Sequence, residues 1–183
     1  MKYGFDSALP DSSDLLSLQI PDPSLVILIG PSGAGKSTFA ARHFKQTEII
    51  SSDRCRAMVC DDESDQSVNG AAFGLLHHVA RARLAARRLS VIDATNLETQ
   101  ARRRLLRIAA DNGLPSVAIV FDVPLEKCLE NNRGRPGRVV DEDVIISHAA
   151  QFEWAIRRLR SEGYARVYVL NEANLNDMAI ERI

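Results

Sequence analysis

Leu25-Val26-Ile27-Leu28-Ile29-Gly30-Pro31-Ser32-Gly33-Ala34-Gly35-Lys36-Ser37 is the stretch on which the reading of this 183-residue chain turns. Five consecutive apolar residues, β-branched at Val26, Ile27 and Ile29, suit a strand buried on both faces. The next eight fit GxxxxGK[ST], a pattern that average residue usage would produce in such a chain at a frequency on the order of one per cent. Strand, glycine loop and helix start are the arrangement that phosphate binding requires. Glycines let backbone N–H groups point inward around a polyphosphate, and the helix N-terminus adds positive potential. Lys36 is then placed to reach the β- and γ-phosphates and the Ser37 hydroxyl to ligate Mg²⁺. Gly30, Ser32, Gly33, Ala34, Gly35 and Thr38 complete a nucleotide-binding set for ATP or another nucleoside triphosphate.

Outward from this unit, strand-like runs recur at 48–51, 89–93, 116–122 and 166–170. Helical spacing fills the intervals at 36–44, 70–88, 98–112, about 125–133 and 141–161, with Gly113 and Pro115 ending the third. Strands separated by helices of this length imply right-handed parallel crossovers, hence an α/β, three-layer fold with a central parallel sheet of about five strands. Residues 1–23, rich in Asp, Ser and Pro, read as a loosely packed lead-in, and 24–183 as one domain. The 45% hydrophobic and 26% charged composition is that of a globular domain and excludes disordered, collagen-like and membrane-spanning classes. With no membrane segment or signal peptide visible, the expected location is cytoplasmic. Cys55, Cys60 and Cys128 lack CxxC spacing and a matching His cluster, so free thiols are expected rather than disulfides or zinc.

Phosphoryl transfer needs further groups. Val91-Ile92-Asp93 ends a strand with an acid that would support Mg²⁺ through water, or else caps the following turn. Asp53 follows the second strand, where α/β ligands sit, and is a candidate general base on an acceptor hydroxyl; its plain alternative is a helix N-cap. Arg56 shares its helix face and either grips an acceptor phosphate or forms an i, i+3 ion pair. Arg133, Arg135 and Arg138 lie in a Gly/Pro segment within 131–142 that reads as an Arg-rich lid over the donor phosphates, the alternative being a solvated basic loop.

The run Gly30 to Ala40, Ile50-Ser51-Ser52-Asp53, Cys55-Arg56 and Asp61 to Gln66, together with Gly70 to Phe73, Asp93 to Asn96, the Arg-rich segment and Tyr168 to Asn171, carries a resemblance. The chain resembles the 5′-OH polynucleotide kinase module of bacterial polynucleotide kinase-phosphatase RNA repair proteins, over about Ser24 to Asn171. The resemblance implies a P-loop kinase that transfers the γ-phosphate of ATP, with Mg²⁺, to the 5′-OH end of RNA or DNA. It gives Lys36 and Ser37 the nucleotide and metal, Asp53 the role of general base, Arg56 the acceptor's 3′-side phosphate, and Arg135 with Arg138 the donor phosphates. The family module usually sits beside phosphatase and ligase-like domains, which are the implied partner modules.

Two other functions fit the same residues: a P-loop kinase of a small-molecule alcohol, and an ATP-gated binding module without transfer chemistry, for which Asp53 would be dispensable. Basic residues are 4 Lys and 19 Arg, a skew that suits phosphorylated ligands or reflects codon usage. Arg81 to Arg138 carries a net charge of +6 and the remainder −7, so the near-neutral total conceals a basic segment, although Arg102 to Arg104 are also read as a water-facing stretch. Trp154 is assigned to the core rather than an interface, and the acidic run 61–65 to a solvated loop.

Overall fold

A computed structural model describes residues 17–134 and 139–183. Its strands are β1 (Ser17–Ile20), β2 (Leu25–Ile29), β3 (Ile49–Ser51), β4 (Ser90–Asp93), β5 (Ser116–Asp122), β6 (Arg166–Asn171) and β7 (Ala179–Arg182). The helices are α1 (Lys36–His43), α2 (Ser52–Cys60), α3 (Asn69–Ala85), α4 (Thr99–Asp111), α5 (Leu125–Arg133) and α6 (Glu142–Ile156).

The central sheet has the order β3-β4-β2-β5-β6, all parallel. From β2 the chain steps outward to β3, returns to β4, then crosses to β5 and β6 on the other side. The loop after β2 therefore leaves the sheet at the point where winding reverses, the crevice in which open α/β sheets bind ligands. Alternate residues of β2 face opposite layers: Leu25, Ile27 and Ile29 meet Leu76 and Ala80 of α3 and Leu105 and Ile108 of α4. Val26 and Leu28 meet Phe39 of α1, Cys128 of α5 and Ile145 of α6. The unbroken apolar run of β2 is thus explained by a helix layer on each face.

Four expectations are corrected. Ser17–Ile20, placed by sequence in the lead-in, pairs in parallel with β7 as a second, two-stranded sheet, and Leu18 and Ile20 are buried against the α1 side; the part of the lead-in before Ser17 lies outside the described residues. The last long helix stops at Ile156, and only a single 3-10 turn, Leu159–Ser161, follows. Trp154 is 69% exposed, because the buried stripe of α6 runs through Phe152, Ala155 and Ile156, and its ring lies 5.8 Å from the Arg157 guanidinium. Arg102 does not face water: it is fully buried, pairs with Glu162, and donates from Nη1 to the carbonyls of Asn96 (2.9 Å) and Leu97 (2.7 Å).

Candidate active site

The phosphate loop is shaped by close approach. Gly33 has φ +82°, and a Cβ there would stand 2.2 Å from the carbonyl oxygen of Cys128 in α5; Gly35, the N-cap of α1, has φ +89°. Neither position tolerates a side chain without strain. The loop is tied on both sides: Asn131 Nδ2 donates to Gly33 O (2.9 Å), and Gly30 N donates to Thr95 O (3.1 Å) in the loop after β4. No side chain caps α1, so its first-turn N–H groups open the helix N-terminus as an anion cradle. Lys36, 7% exposed, donates from Nζ to Gly30 O (2.9 Å) and Pro31 O (2.7 Å), its tip held over the loop that the phosphates would fill.

A cleft of about 1530 Å³ runs from this loop to the first turns of α2. Ser32, Gly33, Gly35, Lys36, Ser37 and Thr38 line it, whereas Gly30 and Ala34 do not; Ala34 is fully buried in the core beneath. Asp93, at the end of β4 and in register with Ser51, enters the same cleft, as do Asp53 and Arg56. The Ser37 hydroxyl and the Asp93 carboxylate are hard oxygen donors, the set that Mg²⁺ uses when phosphates and water supply its other ligands. Among the described residues no cluster of three or more His, Cys, Asp or Glu forms a closed metal cage, so this open donor set is what the cleft offers a hard cation.

The cap of α2 is Ser51, whose Oγ accepts from Arg54 N (3.4 Å), so Asp53 is not the cap. Asp53 Oδ1 instead accepts from Arg56 Nη2 and from Ser52 Oγ (3.4 Å). Arg56 is 4% exposed, and its Nε and Nη1 donate to Glu63 O (2.7 Å) and to Asn69 Oδ1 (3.0 Å). These bonds use three of the five N–H groups of a guanidinium held at the cleft wall. The pair is therefore a seated constellation rather than a solvated surface contact.

Arg135 and Arg138 lie outside the described residues, as does the middle of the expected lid. Its two ends are clamped: Asn132 exchanges two bonds with the Val140 backbone (2.7 and 2.9 Å), and Arg133 Nε donates to Glu142 (2.8 Å), away from the cleft lining. The structure also supplies residues that sequence reasoning missed. His148 of α6 lies 3.2 Å from Ser32 Oγ, and burial, aided by the charge of Lys36, holds its pKa below the usual value. Cys128 beneath the loop is a neutral thiol, its pKa pushed up by burial to about 11. Phe73 and His77 of α3 and Gln100 and Arg104 of α4 form the far wall.

Residues 25–160 match a protein family described as "AAA domain". The chain belongs to this family. Among solved structures it is similar to a chain of the Pnkp1/Rnl/Hen1 RNA repair complex, at 24% identity and a TM-score of 0.66, over 76% of this chain and 47% of that one. A chain of a further Pnkp1/Rnl/Hen1 complex is 25% identical with a TM-score of 0.52, over 64% and 41% of the two chains. A gluconokinase from Sinorhizobium meliloti aligns at 19% identity, with a TM-score of 0.51, over 84% and 85%. The fold is that of the P-loop kinases, and the protein spans less than half of the repair-complex chains it matches.

Proposed function

We propose that this protein transfers the γ-phosphoryl group of ATP to the 5′-hydroxyl end of an RNA or DNA strand. The observation that carries the reading is the Asp53–Arg56 pair, seated in the same cleft as Lys36 and Ser37. An acceptor hydroxyl needs a carboxylate to take its proton, and the N–H groups of Arg56 beyond its three bonds offer a planar cation to a phosphodiester one nucleotide in, a charge that a neutral sugar lacks. Asp53 accepts the hydroxyl proton as that oxygen bonds to the γ-phosphorus and the bond to the β–γ bridging oxygen breaks, ADP leaving with the electron pair. Lys36 and the first-turn N–H groups of α1 hold the charge developing on the phosphates. Ser37 and Asp93 are the residues that would hold Mg²⁺, and the ion would supply neutralisation of the phosphate charge.

The test is incubation with γ-labelled ATP, Mg²⁺ and a 5′-OH oligonucleotide, read as label at the 5′ end. Absence of labelled strand together with rapid labelling of a small alcohol such as gluconate would replace this reading with a small-molecule kinase. Phosphatase and ligase-like modules, as in the repair proteins that the sequence resembles, are the partners this reading implies.

A further inference from the structure

Beyond the Asp53–Arg56 pair the cleft continues along residues of α3 and α4, and this wall has a distinct chemistry. Asn69, which receives Arg56 Nη1, opens α3, and Phe73 and His77 follow it at four-residue spacing. They therefore form one stripe with about 6 Å of rise per step, leading away from the Asp53–Arg56 pair. Both rings are partly exposed, both line the cleft, and their centroids lie 6.3 Å apart. Gly70 and Gly74, each one residue on from this stripe, also line the cleft, with nothing within 4 Å of the place a Cβ would occupy. Gly74 is a poorer helix former than Ala and has no positive φ to require it.

Opposite this stripe, α4 packs on α3 and presents Gln100 and Arg104, both exposed and both on the cleft. The charges of Arg81 and Arg104 reach His77, whose pKa is lowered by burial first and by these two cations second, so near neutral pH its ring is an uncharged face. Uncharged ring faces beside a guanidinium are the combination that holds single strands: bases stack and the backbone meets the cation.

We propose that the α3–α4 wall is a track for the single-stranded nucleotides that follow the reacting 5′ end, with Phe73 stacking a base and Arg104 meeting a backbone phosphate. This rests on the 5′-OH kinase reading and extends it. The enzyme is then selective for strands over mononucleotides, and for unpaired ends, whose bases are available to stack.

The test compares a nucleoside 3′-monophosphate with a single-stranded 5′-OH hexamer as acceptors for wild type, Arg104→Ala, Phe73→Ala and Phe73→Leu. Phe73→Leu keeps the apolar part packed against the core and removes only the ring face. Wild type is expected to show kcat/KM about tenfold or more higher for the hexamer. Each variant should lose at least about tenfold more on the hexamer than on the mononucleotide, chiefly through KM. For Arg104→Ala the dependence of log KM on log salt with the hexamer should fall by about 0.7, the share of one phosphate contact on a single strand. Equal losses on the two acceptors, an unchanged salt slope or a wild type indifferent to strand length would overturn the track while leaving the kinase reading intact. A wild type that labels neither acceptor would instead remove the kinase reading.

Discussion

Replacing Arg102 by methionine should be a severe change, although the residue lies outside the phosphate loop. Its guanidinium is fully buried and makes bonds to Glu162 (2.7 and 2.5 Å), Thr99 Oγ1 (3.2 Å) and the carbonyls of Asn96 and Leu97. Methionine fills much of the same space but leaves the Glu162 carboxylate, itself 5% exposed, with its charge uncompensated and two carbonyls without their donor. Breaking a buried pair in this way costs about 3–5 kcal/mol. At about 2–4 °C per kcal/mol for a domain of this size, Tm should fall by about 6–20 °C. Those carbonyls belong to the loop whose Thr95 O receives Gly30 N and whose Asn96 Nδ2 donates to Leu28 O (2.7 Å), so nucleotide affinity should fall as well. The assay is urea and thermal unfolding of Arg102→Met, Glu162→Gln and the double variant. The double variant should be less destabilised than the sum of the singles by about 1–3 kcal/mol. An Arg102→Met protein within about 1 kcal/mol of wild type, or strict additivity, would refute the claim that this pair pins the loop.

Gly33→Ala forces φ +82° on a residue with a Cβ and a separation of about 1 Å between the loop and Cys128, so turnover should drop about 100-fold, measured with saturating acceptor. Asp53→Ala should abolish transfer while ATP affinity by equilibrium titration stays within a few-fold; transfer at the wild-type rate would remove it from acceptor chemistry. The role that the resemblance gives Arg135 predicts that Arg135→Ala lowers kcat strongly, and a larger loss in Arg138→Ala would shift the register of the lid by three residues. His43, His77 and His148 all have pKa values below their usual 6.5, mainly through burial. Below pH 6.5 the unfolded chain binds protons that the folded one refuses, so Tm should fall on acidification through that value, and His77→Gln with His148→Gln should flatten the curve.

The sheet and the phosphate loop were legible because their signals are local. An apolar run of five, a glycine loop and a helix start lie within fourteen residues, and Asp93 ends, and Asp53 closely follows, a strand whose direction the crossovers set. What escaped reading depends on contacts between distant segments. β1 and β7 pair over 162 positions, and nothing near Ser17–Ile20 announces a partner at Ala179–Arg182. Arg102, Arg103 and Arg104 are identical in sequence terms, yet successive 100° steps around α4 bury the first and put the third on the cleft. His148 carried only the spacing of an apolar helix face, and its approach to Ser32 follows from the α5–α6 turn, held by Asn132 and Val140.

The β1–β7 ladder has a mechanical consequence. Because these strands are parallel, tension entering through the chain before Ser17 and leaving after Arg182 pulls them in opposite directions along their common axis. All rungs then carry the load together, and the bonds between Asp22 N and Ile183 O (2.9 Å) and between Ile183 N and Ile20 O (3.0 Å) carry it with them. The Arg182–Glu48 ion pair fastens the same strand to the start of β3. Traction through the two ends of the fold is borne as shear by this small sheet before it reaches the five strands that carry the cleft.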